Sequence, residues 1–184
     1  MGSSFFAVAT LPAIGPSPAA ANVLCFIGSW FFTTAAWMQL VRADPAGRCE
    51  WYSAATQFAG TVLFNVSTGS AVWAQAVTAE RRFVWAPDAT GSVAFLVSGA
   101  LGLAAVGVLA HPSRDRLAAW INMVGCIAFG VSAVGAFVWK SGATADAVLA
   151  DLGTFLGALC FLAAALLSYR GGSGARTGVA GSPR

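Results

Sequence analysis

The stretch Gly91-Ser92-Val93-Ala94-Phe95-Leu96-Val97-Ser98 contains the pattern around which the whole sequence is organised. Its order is Gly, a small residue, two apolar residues, Phe, two further residues and a second small residue. The pattern occurs five times at intervals of 31 to 34 residues, each time inside an uncharged apolar run. The other copies begin Gly28-Ser29-Trp30-Phe31-Phe32, Gly60-Thr61-Val62-Leu63-Phe64, Gly125-Cys126-Ile127-Ala128-Phe129 and Gly157-Ala158-Leu159-Cys160-Phe161.

The composition places these runs in a lipid bilayer. Hydrophobic residues make up 58% of the chain and charged residues only 9%, whereas a soluble domain carries roughly 25% charged residues. The net charge of +3 is small and scattered, which argues against a nucleic-acid partner. The sequence therefore predicts an all-α integral membrane bundle of five transmembrane helices, with the lipid bilayer as its solvent.

The apolar runs define the domain boundaries. We expect a transmembrane domain over residues 20–169, because a membrane-spanning helix needs about 20 apolar residues. Residues 1–19 contain three prolines and an apolar stretch too short to span, which predicts a flexible or interfacial N-terminal tail. The Gly-, Ser- and Arg-rich segment 170–184 predicts a disordered C-terminal tail. The predicted spans are residues 21–41, 54–77, 88–110, 117–139 and 145–168.

The basic residues predict the orientation of the protein, because they are enriched in cytoplasmic loops. The N-terminal tail, second loop and fourth loop together hold three of them, and the remaining connections hold seven. The N-terminus is therefore expected outside and the C-terminus in the cytoplasm. Arginine outnumbers lysine nine to one beside abundant Ala and Gly, which favours a bacterial inner membrane. The seven are Arg42, Arg48, Arg114, Arg116, Arg170, Arg176 and Arg184.

Helix geometry turns the pattern into a packing surface. With 100° per residue, the glycine, the phenylalanine and the final small residue lie within about 60° of one another. Small residues at such positions mark helix–helix interfaces in membranes. We therefore expect a stripe on each span that faces the bundle interior, where Phe fills the space beside a neighbour's Gly. The stripe comprises Gly28, Phe32, Gly60, Phe64, Ser67, Gly91, Phe95, Ser98, Gly125, Phe129, Ser132, Gly157 and Phe161.

The repeated Gly-Ser-x-x-Phe helices resemble the YrhK-like family of small bacterial membrane proteins. The copies at Gly28, Gly91 and Gly125 carry the resemblance, which covers residues 21–168. The family implies no established activity, so no functional residue is carried over from it.

The second span holds the most polar side chains. Gln57, Asn65, Ser67 and Ser70 form a candidate polar cavity, with interhelical hydrogen bonding as the alternative interpretation. Asn65 points away from the stripe, whereas Ser67 lies along it. Among the acids, Asp151 is the most suggestive, because it lies about two turns inside the fifth span.

No motif predicts chemistry. Three of the four cysteines fall within spans as small buried residues, and Cys49 falls in a loop. His111 is the only histidine and has no neighbouring cluster of ligands. The sequence lacks a phosphate-binding loop, a dinucleotide fingerprint and a nucleophile elbow. It therefore predicts a non-enzyme with no catalytic, cofactor-binding or metal site and no cofactor.

Three hypotheses for the function follow. The leading one is a structural or accessory subunit that packs through its small-residue stripes, as a homo-oligomer or within a larger membrane complex. The alternative is a channel or carrier for a small neutral or polar solute, lined by the second span. A lipid-directed enzyme comes third and rests only on His111, Asp115 and the neighbouring arginines.

Overall fold

The fold is all-α, as predicted. The computed structural model of the protein describes residues 1–11, 16–74, 76–108, 111 and 113–174, with the backbone alone for 169–174. Six helices account for most of this part of the chain. They are α1 (Gly2–Ala9), α2 (Pro18–Arg42), α3 (Arg48–Trp73), α4 (Val77–Val106), α5 (Arg114–Gly135) and α6 (Ala147–Gly174).

Local sequence signals explain where several helices begin and end. Ser17 caps α2 by accepting a hydrogen bond from the Ala20 N–H, and Pro18 occupies the first helical position. Ser113 caps α5 in the same way through the Arg116 N–H. Helix α4 ends at Val106 and is followed by Gly107, whose φ of 77° lies in a region that glycine adopts without strain.

In the part of the chain that the structure describes, four helices are long and apolar enough to cross a membrane: α2, α4, α5 and the segment Ala147–Ser168 of α6. The prediction of five spans is therefore not confirmed. Helix α3 is the difference. It has 26 residues, which suffices for a crossing, but Arg48, Glu50 and its many amide and hydroxyl side chains reduce its mean hydropathy.

The predicted boundaries differ from the observed ones most strongly around α3 and α4. Helix α3 begins at Arg48 and contains Cys49, both of which were predicted to lie in a loop. Helix α4 begins about three turns before the predicted start at residue 88. Its Glu80–Trp85 segment is π-helical, and this wider turn accommodates Pro87, which would otherwise interrupt the hydrogen-bond ladder. Asp88 lies in the first turn of the α-helical part of α4, which runs from Ala86 to Val106.

Both predicted tails contain helical structure. Gly2–Ala9 form α1, and Phe6, with 2% of its surface exposed, belongs to the hydrophobic core. This segment is therefore not a flexible tail, although it is too short to span a membrane. Helix α6 continues to Gly174, past the predicted start of the C-terminal tail. The remainder of that tail, 175–184, lies outside the described residues.

The helices form a ring in chain order. Each helix from α2 to α6 packs against the one before it, and α1 packs against both α2 and α6. Helix α1 thereby lies between the first and last long helices and closes the ring on one side. The interior of this ring is where the repeated motif converges.

Candidate functional site

The motif glycines of α3 and α4 contact each other's phenylalanine reciprocally. A methyl group placed on Gly60 would lie 2.6 Å from Cε1 of Phe95 and 3.1 Å from the Gly91 oxygen. A methyl group on Gly91 would lie 2.8 Å from Cδ2 of Phe64 and 3.1 Å from the Gly60 oxygen. Real Cβ atoms do not approach other atoms this closely, so only glycine permits this spacing at both positions.

The same contact joins α5 and α6. A Cβ on Gly125 would lie 2.8 Å from Cδ1 of Phe161, and a Cβ on Gly157 would lie 2.6 Å from Cδ2 of Phe129. The Gly125 oxygen would be 3.2 Å from the latter methyl group. Two antiparallel hairpins of the ring are thus built on one repeated contact.

The α1–α2 hairpin contains a sixth copy of the motif, Gly2-Ser3-Ser4-Phe5-Phe6-Ala7-Val8-Ala9, which was not predicted from the sequence. A Cβ on Gly2 would lie 2.9 Å from the Gly28 oxygen, and one on Gly28 would lie 3.0 Å from Cδ2 of Phe6. The spacing of Gly2, Phe6 and Ala9 was the available signal. Ser4 in place of an apolar residue, and the brevity of the apolar stretch, concealed it.

The six motif phenylalanines, one from each helix, meet at the centre of the ring. Ring centroids are 5.0 Å apart for Phe64 and Phe95, 5.2 Å for Phe129 and Phe161, and 5.3 Å for Phe6 and Phe32. The pairs Phe64–Phe129 at 5.5 Å and Phe32–Phe161 at 5.8 Å connect the hairpins. These separations suit edge-to-face and offset packing. The centre of the ring is thus filled by aromatic side chains.

Burial around each helix follows the motif. The residue after the glycine is buried in all six copies: Ser3, Ser29, Thr61, Ser92, Cys126 and Ala158. The second residue after the glycine is exposed and large in the five long helices: Trp30, Val62, Val93, Ile127 and Leu159. One face of each helix therefore points inward, and the opposite face presents apolar side chains outward.

Buried hydroxyl groups connect the helices above and below the phenylalanines. Ser53 and Ser98 each donate to the other's carbonyl oxygen at 2.8 Å, which links α3 to α4. Thr68 donates to Oγ of Ser29 at 3.1 Å, and Ser132 donates to the Ala150 oxygen at 2.7 Å. Ser67, Ser98 and Ser132, the final residues of their motif copies, are all buried.

The four residues of the candidate polar cavity do not converge. Gln57 and Asn65 are separated by about 80° around α3, and Ser67 and Ser70 lie on the other side of the Gly60 direction. Ser67 is 4% exposed within the stripe, and Ser70 is half-buried. Gln57 and Asn65 share one property: Oε1 of Gln57 and Oδ1 of Asn65 are buried without a hydrogen-bond partner among the described residues.

The other candidate polar groups lie apart from that pair. Asp151 is exposed on α6. Among the described residues, no group of three or more His, Cys, Asp or Glu side chains could hold a metal ion. His111 and Asp115 are both exposed. Cys25, Cys49, Cys126 and Cys160 are free thiols.

The class of the protein rests on this architecture alone. Comparison of the chain with protein-family models, curated proteins and solved structures finds no match. The resemblance to the YrhK-like family therefore stays a prediction. The four apolar helices are compatible with a multi-pass membrane protein.

Proposed function

We propose that this chain is a multi-pass integral membrane protein with a structural or accessory, non-enzymatic role. The observation that carries the proposal is the use of the repeated motif. Its glycines contact the backbone or the phenylalanine of the paired helix in each hairpin, and its phenylalanines pack together at the centre, so the most strongly repeated feature of the sequence serves helix packing. The centre of the ring holds aromatic rings where a transporter or enzyme would place polar or charged groups.

Membrane placement of α3 is part of this proposal. Helix α3 packs between α2 and α4, two helices that are apolar enough to span. Ser53 of α3 donates to the Ser98 oxygen of α4, and Thr68 donates to Oγ of Ser29 on α2, so polar groups of α3 are satisfied by its neighbours, which makes a crossing tolerable. With α3 as the fifth span, the charge distribution favours an external N-terminus and a cytoplasmic C-terminus in a bacterial inner membrane.

The outward face supplies the surface for association. The inner stripes are occupied within the chain, so a partner or a second copy would contact the exposed residues opposite them. Val93, Ile127 and Leu159 are 58%, 48% and 41% exposed and lie on three successive long helices. Such side chains fit lipid or the apolar helix of another membrane subunit equally well.

Purification in nanodiscs tests the accessory role. The full chain is captured through a C-terminal tag, and its mass and every co-purifying protein are measured. We expect a homo-oligomer or a stable complex with another membrane protein. Val93, Ile127 and Leu159 are each replaced with Gln in a separate variant. The variant whose residue lies on the association surface should lose the assembly, and the other variants should retain it. A solitary monomer at native expression would contradict the proposal.

A channel or carrier for a small neutral or polar solute is the second candidate. It is favoured by the buried, unpartnered oxygens of Gln57 and Asn65 on α3. Burying such an acceptor without a donor costs about 1–3 kcal/mol, and a solute that donates hydrogen bonds would offset that cost. Because the phenylalanines fill the centre of the ring, passage would require them to move.

Cysteine labelling discriminates the two candidates. In a background without native cysteines, Asn65→Cys, Ser67→Cys and Ser70→Cys are exposed to a membrane-impermeant thiol reagent. The accessory role predicts protection at Ser67, as at the matched position Ser98→Cys. Labelling of Asn65→Cys together with solute flux in liposomes would establish the channel or carrier instead.

A further inference from the structure

Two connections at one end of the ring form a single ordered platform. The Glu80–Trp85 segment of α4 is π-helical, an irregularity that is rare and frequent at functional sites. The connection between α5 and α6 packs against it: Phe137 lies 4.9 Å from Trp85 between ring centroids. Nε1 of Trp85 also donates to the Ala133 oxygen at 2.9 Å, which fixes the platform to α5.

The α5–α6 connection is itself held by backbone hydrogen bonds. Val138 and Thr144 form an isolated antiparallel bridge, and the Trp139 N–H donates to the Ala143 oxygen at 2.9 Å. Gly142 forms the turn with a φ of 86° and lies against Val77. Lys140 is exposed at this turn. The platform is therefore a built surface and not two independent loops.

Two cations at this end of the ring lie against aromatic rings. The Arg81 guanidinium lies 5.5 Å from the Phe137 centroid, and that of Arg82 lies 5.6 Å from the Phe83 centroid. Phe83 is about half a turn around α4 from Arg81, so the second pair faces away from Phe137. The platform itself therefore carries Arg81 and Lys140. Asp146 accepts a hydrogen bond from the Leu149 N–H at 2.9 Å, and Glu80 precedes Arg81 in the chain.

The depth of the platform matches the lipid headgroups. The 30 residues of α4 extend about 45 Å, whereas the hydrocarbon core is about 30 Å thick. The segment before Pro87 therefore emerges from the core. Phe83 and Trp139 are 48% and 56% exposed there, and aromatic side chains favour this interfacial layer.

We propose that Arg81 and Lys140, on the aromatic platform of Trp85, Phe137 and Trp139, bind the phosphate of an anionic phospholipid. The aromatic side chains rest on the acyl–headgroup boundary while the two cations contact the phosphate. Planar guanidinium groups suit paired hydrogen bonds to phosphate oxygens. This site is independent of the proposed accessory role, because it needs no partner protein.

Lipid binding to the purified full chain in detergent tests the site. Phosphatidylglycerol and phosphatidylcholine are titrated separately and followed by native mass spectrometry. We expect tighter binding of phosphatidylglycerol, weakened about fivefold in Arg81→Gln. Lys140→Gln, in an exposed turn that cannot disturb the core, should weaken binding similarly. The matched controls are Arg82→Gln, on the opposite face of the same helical segment, and Arg48→Gln, exposed at the opposite end of the ring.

Three results would overturn the proposal. One is equal affinity for the two lipids. Another is unchanged phosphatidylglycerol binding in Arg81→Gln and Lys140→Gln while both variants retain the wild-type melting temperature. The third is full competition by soluble glycerol phosphate at the same concentration, which would indicate a site for free phosphate and not for lipid.

Discussion

The centre of the ring and the polar face of α3, formed by Gln57 and Asn65, differ in whether their buried groups have partners. At the centre, each motif phenylalanine packs against others and each motif glycine meets a backbone or ring. On α3, the oxygens of Gln57 and Asn65 are buried with no partner among the described residues. The centre therefore stabilises the fold, while the polar face of α3 costs stability. A costly feature is the better place to look for activity.

Truncating a central ring should have the largest effect. Phe129 contacts the rings of Phe6, Phe64, Phe95 and Phe161. We expect Phe129→Ala to reduce the free energy of unfolding by about 3–5 kcal/mol, because it leaves a cavity. Denaturant titration in mixed micelles measures it. Phe31→Ala, which removes a 43% exposed ring, is the control and should cost far less; equal losses would show that the centre is not special.

Adding bulk at a motif glycine should be the next largest effect. Gly125→Leu forces a side chain against Phe161, which should cost about 1–3 kcal/mol through overpacking. Gly130→Leu is matched on the same helix, where the nearest atom is Cδ1 of Leu96 at an ordinary 3.4 Å. Thermal unfolding of both variants compares them. A Gly125→Leu variant as stable as Gly130→Leu would contradict the reciprocal contact.

Removing one interhelical hydroxyl should have a smaller effect. Ser132→Ala removes the hydrogen bond to the Ala150 oxygen and the contact with Oγ1 of Thr154 at 2.8 Å. A loss between about 0.6 and 1.7 kcal/mol is expected for such a bond in a membrane. Ser141→Ala, in the exposed α5–α6 connection, should change the same unfolding free energy by less.

The polar face of α3 should respond with the opposite sign. Asn65→Leu removes the unpartnered oxygen, so the free energy of unfolding should rise by about 1 kcal/mol. The matched control is Asn122→Leu, which loses the contact of Nδ2 with Sγ of Cys126 at 3.7 Å and should give no gain. A loss of stability in Asn65→Leu would mean that Asn65 is satisfied within the protein.

Spacing alone made the inward stripe predictable, because the pattern repeats in every long helix. The start of α4 was not predictable, because Glu80, Arg81 and Arg82 resemble a loop, whereas in the structure they form a π-helical segment of the helix. Burial of Phe6 depends on tertiary contacts that a short, proline-flanked stretch does not reveal. The four residues proposed to line one cavity do not converge, because at their spacings along a single helix they point in several directions.

The placement of α1 beside α2 is the central claim, and a crosslink between them tests it most directly. The rings of Phe5 and Phe31 stack with their centroids 5.7 Å apart, and neither residue is a motif glycine. In a background without native cysteines, Phe5→Cys with Phe31→Cys should be joined by a short, lipid-soluble bifunctional thiol reagent. Phe5→Cys with Met38→Cys, about two turns further along α2, should not. No crosslink in the first pair, or equal crosslinking in both, would contradict a ring built from six copies of the motif.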